Sequence, residues 1–147
     1  MRPALLDVNL LIALFWPAHA QHGPPLRWFQ RYGRRGWATC PHTQTSFVRI
    51  TSNPAFSRDA VSPRQAAALL VANLSAARHT FWKEEDTPCE LLDSDELVLQ
   101  GHQQVGDAYL LALARKHSGR LATFDAGLAS LVGPGRIPAS HLEIVDI

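Results

Sequence analysis

Apolar residues fall along this chain in short runs broken by polar residues, glycine and proline, and successive runs differ in kind. Ala4-Leu5-Leu6 is ended by Asp7, and Leu10 to Leu14 is stopped before Pro17, which predicts a strand, a polar turn and a buried helix in that order. Leu26, Phe29 and Tyr32 or Trp28 then recur at helical spacing among arginines, so an amphipathic helix with a basic face is expected over Gln21 to Tyr32, closed by Gly33 and Gly36. Trp37 to Cys40, bounded by Gly36 and Pro41, suits a second strand. Phe47, Val48 and Ile50 line a third helix that ends before Pro54.

Ser62-Pro63-Arg64-Gln65 places a capping hydroxyl, a proline at the first helical position and a glutamine that returns the bond, so a helix is expected from Ala66 to Ala77. His79 to Trp82 alternates as a strand does. Glu84 to Leu92 is acidic, holds Pro88 and lacks a clean period; it reads as a loop before a short helix around Asp95 to Gln100. Asp107 to His117 carries Ala108, Leu111, Ala112 and Arg115 at helical steps and is ended by Gly119. Arg120 to Phe124 reads as a buried strand terminated by Asp125, followed by a short helix through Leu131 and a last strand at Leu142 to Val145. This alternation predicts an α/β, Rossmann-like fold: a mainly parallel sheet with helices on both faces, built as a single domain over residues 1–147.

With 46% hydrophobic and 18% charged residues, a chain of 147 residues can bury one ordinary core, which argues against disorder. Cys40 and Cys89 are too few and too far apart for a disulfide framework or a paired-cysteine zinc site. The net charge of +1 conceals a division, because residues 1–83 carry +8 and residues 84–147 carry −7. Either the halves attract each other, or a basic region meets phosphates while an acidic one holds a cation or a basic partner. Arg2, an apolar run and Ala18-His19-Ala20 mimic a signal peptide, but Asp7 and Asn9 interrupt the run, and Leu10 to Trp16 falls far short of the ~20 residues of a span. A soluble cytoplasmic protein is expected.

Asp7 and Asp125 each follow a strand, at the sheet edge where ligands bind in such folds, and Asp107 opens a helix. Singly, each is an ordinary cap. Together they would repel one another unless a cation sat between them, so convergence points to Mg²⁺ or Mn²⁺, hard ions that take oxygen ligands.

These residues carry a resemblance. Asp7-Val8-Asn9, Gly106-Asp107-Ala108-Tyr109-Leu110-Leu111-Ala112-Leu113-Ala114 and Leu121-Ala122-Thr123-Phe124-Asp125 are similar to motifs of the PIN-domain ribonucleases, specifically toxins of the VapBC toxin–antitoxin type. Cys40-Pro41-His42-Thr43, Phe47-Val48-Arg49-Ile50 and Gly101-His102-Gln103 resemble one subgroup of them. The resemblance implies an endoribonuclease that uses Mg²⁺ or Mn²⁺, leaves 5′-phosphate and 3′-hydroxyl ends, forms homodimers and is held by a VapB-type antitoxin. It implies that Asp7, Asp107 and Asp125 are catalytic metal ligands, with Asn9 and Thr123 supporting them. At the family's remaining acidic position this chain has Gln44, whose carbonyl could still bond a metal-bound water but cannot act as a base. Asp95 or Glu96 is the substitute acid to consider.

Arg31, Arg34 and Arg35 interleave with Trp28, Phe29, Tyr32 and Trp37, the composition of an RNA-tracking surface, and Arg49 is a further candidate contact. The alternative is that these aromatics are core and the arginines a solvated face. His42 and His102 show no metal spacing. A haloacid-dehalogenase-type phosphatase would need a second acid where Asn9 stands, and a receiver domain would need paired acids and a late lysine. The rival from another class is a catalytically weakened PIN-like module that only binds RNA or protein.

Overall fold

In the computed structural model, residues 2–16, 23–75 and 78–146 are described; the side chain of Arg34 falls outside that description. Five parallel strands, β1 (Ala4–Leu6), β2 (Trp37–Thr39), β3 (His79–Phe81), β4 (Arg120–Thr123) and β5 (Leu142–Ile144), form one sheet in the order β3-β2-β1-β4-β5. The helices are α1 (Val8–Phe15), α2 (Gly23–Tyr32), α3 (Pro41–Thr51), α4 (Pro63–Leu74), α5 (Pro88–Leu92) and α6 (Val105–Lys116), with single 3₁₀ turns between some of them.

The central strands are apolar without alternation because both faces are covered, as buried parallel strands require. Ala4, Leu6, Trp37 and Ala122 face a core with Leu10, Leu11 and Leu14 of α1, Phe47 of α3 and Leu70 of α4. Leu5, Ala38 and Leu121 face the other side, against Ala108, Leu111 and Ala114 of α6. The register pairs Leu6 with Ala122. The chain therefore leaves β1 in one direction through β2 to β3 and in the other through β4 to β5, which makes the junction of β1 and β4 the topological switch point.

The expected strands and principal helices are present, with ends shifted by a residue or two. Gln21, at the expected start of α2, and Ala77, at the expected end of α4, lie outside the described residues, as does Ala18-His19-Ala20. The expectation for 84–100 is corrected. The helix is Pro88–Leu92, and Asp95 to Gln100 is non-helical, with a turn at Asp95 and Glu96. Thr87 accepts a hydrogen bond from the Glu90 amide at 3.1 Å and Pro88 occupies the first turn, the same start signal as Ser62-Pro63. Pro88 thus opens a helix, and Leu97 and Leu99 pack on the core from non-helical backbone.

Among the described residues no helix is long and apolar enough to cross a membrane. Among the described residues, the ion pairs Arg115 with Glu96, Lys116 with Asp86 and Arg120 with Glu143 lie within the acidic half. Charge is sorted by sheet edge. Arg2, Arg35 and Arg78 lie within two residues before strands, whereas Asp7, Glu84 and Asp125 lie within three residues after them.

Candidate active site

Because all strands run the same way, residues that follow them share one edge. Asp7 leaves β1 in extended conformation and caps α1, its Oδ1 accepting from the Val8 amide at 2.7 Å. Its Oδ2 accepts from the Thr123 hydroxyl at 2.7 Å. Thr123, the last residue of β4, is buried and fully used: besides that donation, its Oγ1 accepts from Asn9 Nδ2 at 3.2 Å and from the Asp125 amide at 3.1 Å. Asp125 in turn accepts from the Gly127 amide at 2.8 Å, capping the turn Ala126–Leu131. One hydroxyl thus ties the first aspartate, the asparagine beside it and the backbone of the last aspartate together across the switch point.

Asp107 enters from the other layer, in the first turn of α6. Burial pushes its carboxyl up to about 6, and the charges of Asp7 and Asp125 push the same way, so the three aspartates share one electrostatic environment. Burial likewise raises Asp7. The bonds from Thr123 and Val8 oppose that rise, the charge of Asp125 adds to it, and the charge of His42 opposes it.

The other nominated residues make contacts of their own. Gln44 Nε2 donates to Thr39 Oγ1 at 2.9 Å, and Thr39 meets His79 Nε2 at 2.8 Å, so this amide is engaged at the end of β2 with no hydrogen bond to an aspartate. Gln44 and Arg49 line an apolar groove of about 440 Å³ between α3 and α4, together with Val48, Leu70, Val71 and Leu74. Glu96 pairs with Arg115 in the last turn of α6, eight residues beyond Asp107 and so about 12 Å along the helix. Asp95 is exposed in the turn beside it. Arg35 and the backbone of Arg34 belong to the turn Gly33–Arg35 that leads into β2, at the opposite sheet edge from the aspartates. Arg31 and Arg35 lie over the Tyr32 ring at 5.4 and 5.8 Å. Phe29 and Trp37 stack edge-on in the core, and Trp28 donates to Glu143.

Residues 4–133 match the PIN domain family. The chain belongs to the PIN domain family. It is 42% identical over 134 residues to Ribonuclease VapC39 of Mycobacterium tuberculosis, spanning 91% of this chain and 96% of that one. It is also 42% identical over 144 residues to Ribonuclease VapC38 of the same organism, spanning 98% and 99%. Among solved structures, VapBC2 from Rickettsia felis, bound to a DNA fragment from its promoter, superposes with a TM-score of 0.61 at 13% identity, covering 95% of this chain and 96% of that one. Mycobacterium tuberculosis VapC20, a sarcin-ricin loop cleaving toxin, superposes with a TM-score of 0.59 at 16% identity, covering 86% and 93%. Both carry the same PIN fold.

PIN-domain ribonucleases depend on divalent metals, and the donors here suit such an ion. Carboxylates that raise one another's pKa in a half-buried site gain from a cation between them. Among the described residues no three His, Cys, Asp or Glu side chains close into a metal cage.

The PIN domain also holds a carboxylate that belongs to none of the sequence motifs. Glu84, just past β3, accepts from the His42 amide at 2.8 Å. Burial would raise its pKa, but interactions with the Tyr109 hydroxyl, the His42 amide and the Cys40 thiol outweigh it and hold the carboxyl below its ordinary value. Burial pushes the Cys40 thiol up to about 11 and raises Tyr109 further, so both remain protonated. The rule that singled out Asp7 and Asp125, an acid just beyond a strand, applies equally to Glu84.

Proposed function

We propose that this PIN domain is a divalent-metal-dependent endoribonuclease, the toxin of a VapBC-type toxin–antitoxin pair, acting in the cytoplasm and hydrolysing RNA phosphodiesters to 5′-phosphate and 3′-hydroxyl ends. The observation that carries the reading is the hydrogen-bonded constellation of Asp7, Asn9, Thr123 and Asp125 at the switch point, facing Asp107, in a chain 42% identical to ribonucleases over nearly its whole length.

Asp7, Asp107 and Asp125 would hold Mg²⁺ or Mn²⁺, which supplies neutralising charge to the phosphodiester and acidifies the attacking water. Asp7 is fixed by two donors and does not need to move to serve as a ligand. Thr123 and Asn9 keep its second oxygen and the Asp125 backbone in register. Asp107, half-buried in the first turn of α6, would act as a ligand or orient the attacking water. Survival of all three aspartates favours an enzyme over a module that only binds.

The partner reading follows from the same charges. A basic side chain from the C-terminal segment of an antitoxin would neutralise the aspartates, an arginine binding them bidentately. Homodimers and toxin–antitoxin hetero-oligomers are the assemblies expected. The test is degradation of a mixed RNA pool by the purified chain with Mg²⁺ or Mn²⁺, its arrest by chelator and its loss in Asp7→Asn. Cleavage that survives chelator or Asp7→Asn would refute the reading.

A further inference from the structure

The aspartate site draws in a cation but repels a polyanion, so RNA needs donors close by, and the arginines nominated from the sequence lie at the opposite sheet edge or along the α3–α4 groove. Among the described residues His42 is a basic side chain at the edge that carries the aspartates. It is exposed, stands in the first turn of α3 immediately after β2, and sets its ring edge-on to Tyr109 of α6 with centroids 5.9 Å apart. The ring contact with Tyr109 joins the start of α3 to α6, the helix that carries Asp107 in its first turn. Its charge is felt at Asp7 on one side and Glu84 on the other.

We propose that His42 contacts the RNA substrate, donating a ring N–H to a phosphate next to the scissile one, and that Glu84 is the residue that positions it. The proposal rests on the ribonuclease reading above. Glu84 holds the first turn of α3 from below: its Oε1 takes the His42 amide at 2.8 Å, and it is anchored by β3, where the Trp82 amide donates to the Thr39 carbonyl at 2.8 Å. Tyr109 supports the ring from the opposite side, while its own hydroxyl is buried and makes no well-formed hydrogen bond among the described residues. An exposed imidazole held at both its backbone and its ring is organised to meet a ligand, because the entropy of fixing it is lost on folding and not on binding.

The experiment measures binding of a fluorescent single-stranded RNA oligomer of about 20 nucleotides, of mixed sequence, to the cleavage-dead Asp7→Asn protein, alongside kcat and KM in the otherwise wild-type chain. His42→Ala and His42→Phe should each weaken RNA binding by about 10-fold, with KM rising by a similar factor and kcat changing less. His42→Gln, which keeps an N–H donor, should recover part of the loss. Glu84→Ala should reproduce the His42→Ala phenotype, Glu84→Gln should stay within about twofold of wild type because it keeps the acceptor oxygen, and the double variant Glu84→Ala/His42→Ala should be no worse than His42→Ala alone. Unchanged RNA affinity and KM in His42→Ala would overturn the proposal, and a fall in melting temperature alone would assign His42 to packing on Tyr109. Binding that depends on His42 in a chain that cleaves no RNA would defeat the ribonuclease reading alone, whereas cleavage indifferent to His42 would defeat this inference alone.

Discussion

Replacing Asp107 with asparagine removes one of three mutually repelling carboxylates while keeping the size of the side chain. In the metal-free protein its pKa rises from 3.8 to about 6, chiefly by burial and then by the charges of Asp7 and Asp125. At about 1.4 kcal/mol for each tenfold change in proton affinity, such a rise corresponds to about 3 kcal/mol held against the folded state when the group is ionised. The side chain is only half-buried and water screens it, which reduces the effect to about 1 kcal/mol. The folded chain binds this proton more tightly than the unfolded chain. The stability the group contributes is therefore fully present below 3.8 and is lost as pH rises through about 6. Asp107→Asn should accordingly raise the melting temperature in chelator at about pH 7.5 by about 2–4 °C, and the difference should disappear at about pH 4. Saturating Mg²⁺ or Mn²⁺ should reverse the order, since an ion at about 100 times its Kd stabilises its protein by about 2.7 kcal/mol and the variant has lost a ligand. Thermal unfolding by circular dichroism, with chelator and with metal at both pH values, measures all of this. A variant less stable than wild type at neutral pH in chelator, or a difference that ignores pH, would refute the shared electrostatic environment on which the site rests.

Asp7→Asn and Asp125→Asn should each lower kcat/KM for RNA by at least about 100-fold, equivalent to about 3 kcal/mol of barrier, with the fold retained by circular dichroism. Thr123→Val keeps the shape but strips the donor from Asp7 Oδ2 and the acceptor from Asn9 and the Asp125 amide; a loss of about 1–3 kcal/mol in urea unfolding and a fall of about 10–100-fold in metal affinity are expected. Gln44→Glu replaces the donor to Thr39 with an acceptor, so stability should fall by about 1 kcal/mol in urea unfolding. Gly119→Ala would bring a methyl group within 2.5 Å of the Trp82 ring and 2.7 Å of the Pro3 carbonyl, which should cost about 1–3 kcal/mol of stability without altering metal affinity.

The layer order and the three aspartates were legible in the sequence because both rest on local chemistry. Period and punctuation distinguish buried strands from helices, and a carboxylate just past an apolar strand sits at the ligand-binding edge of any parallel sheet. Thr87-Pro88 was equally local, but the surrounding acidic residues masked it as a loop. Other features depended on which elements become neighbours. Position 44 stands between Asp7 and Asp107 in the family pattern, and Thr39, which pairing of β2 and β3 brings to His79, engages the Gln44 amide. The arginines of 31–35 looked suited to RNA, but the turn that carries them enters β2 at its start, which puts them at the edge away from the aspartates. The link between His42, Glu84 and Tyr109 joins residues from α3, the end of β3 and α6. Periodicity reports which way a side chain faces within its own element; which side chain of another element it meets is fixed only when the strands are ordered, because that choice is a packing outcome of the whole core.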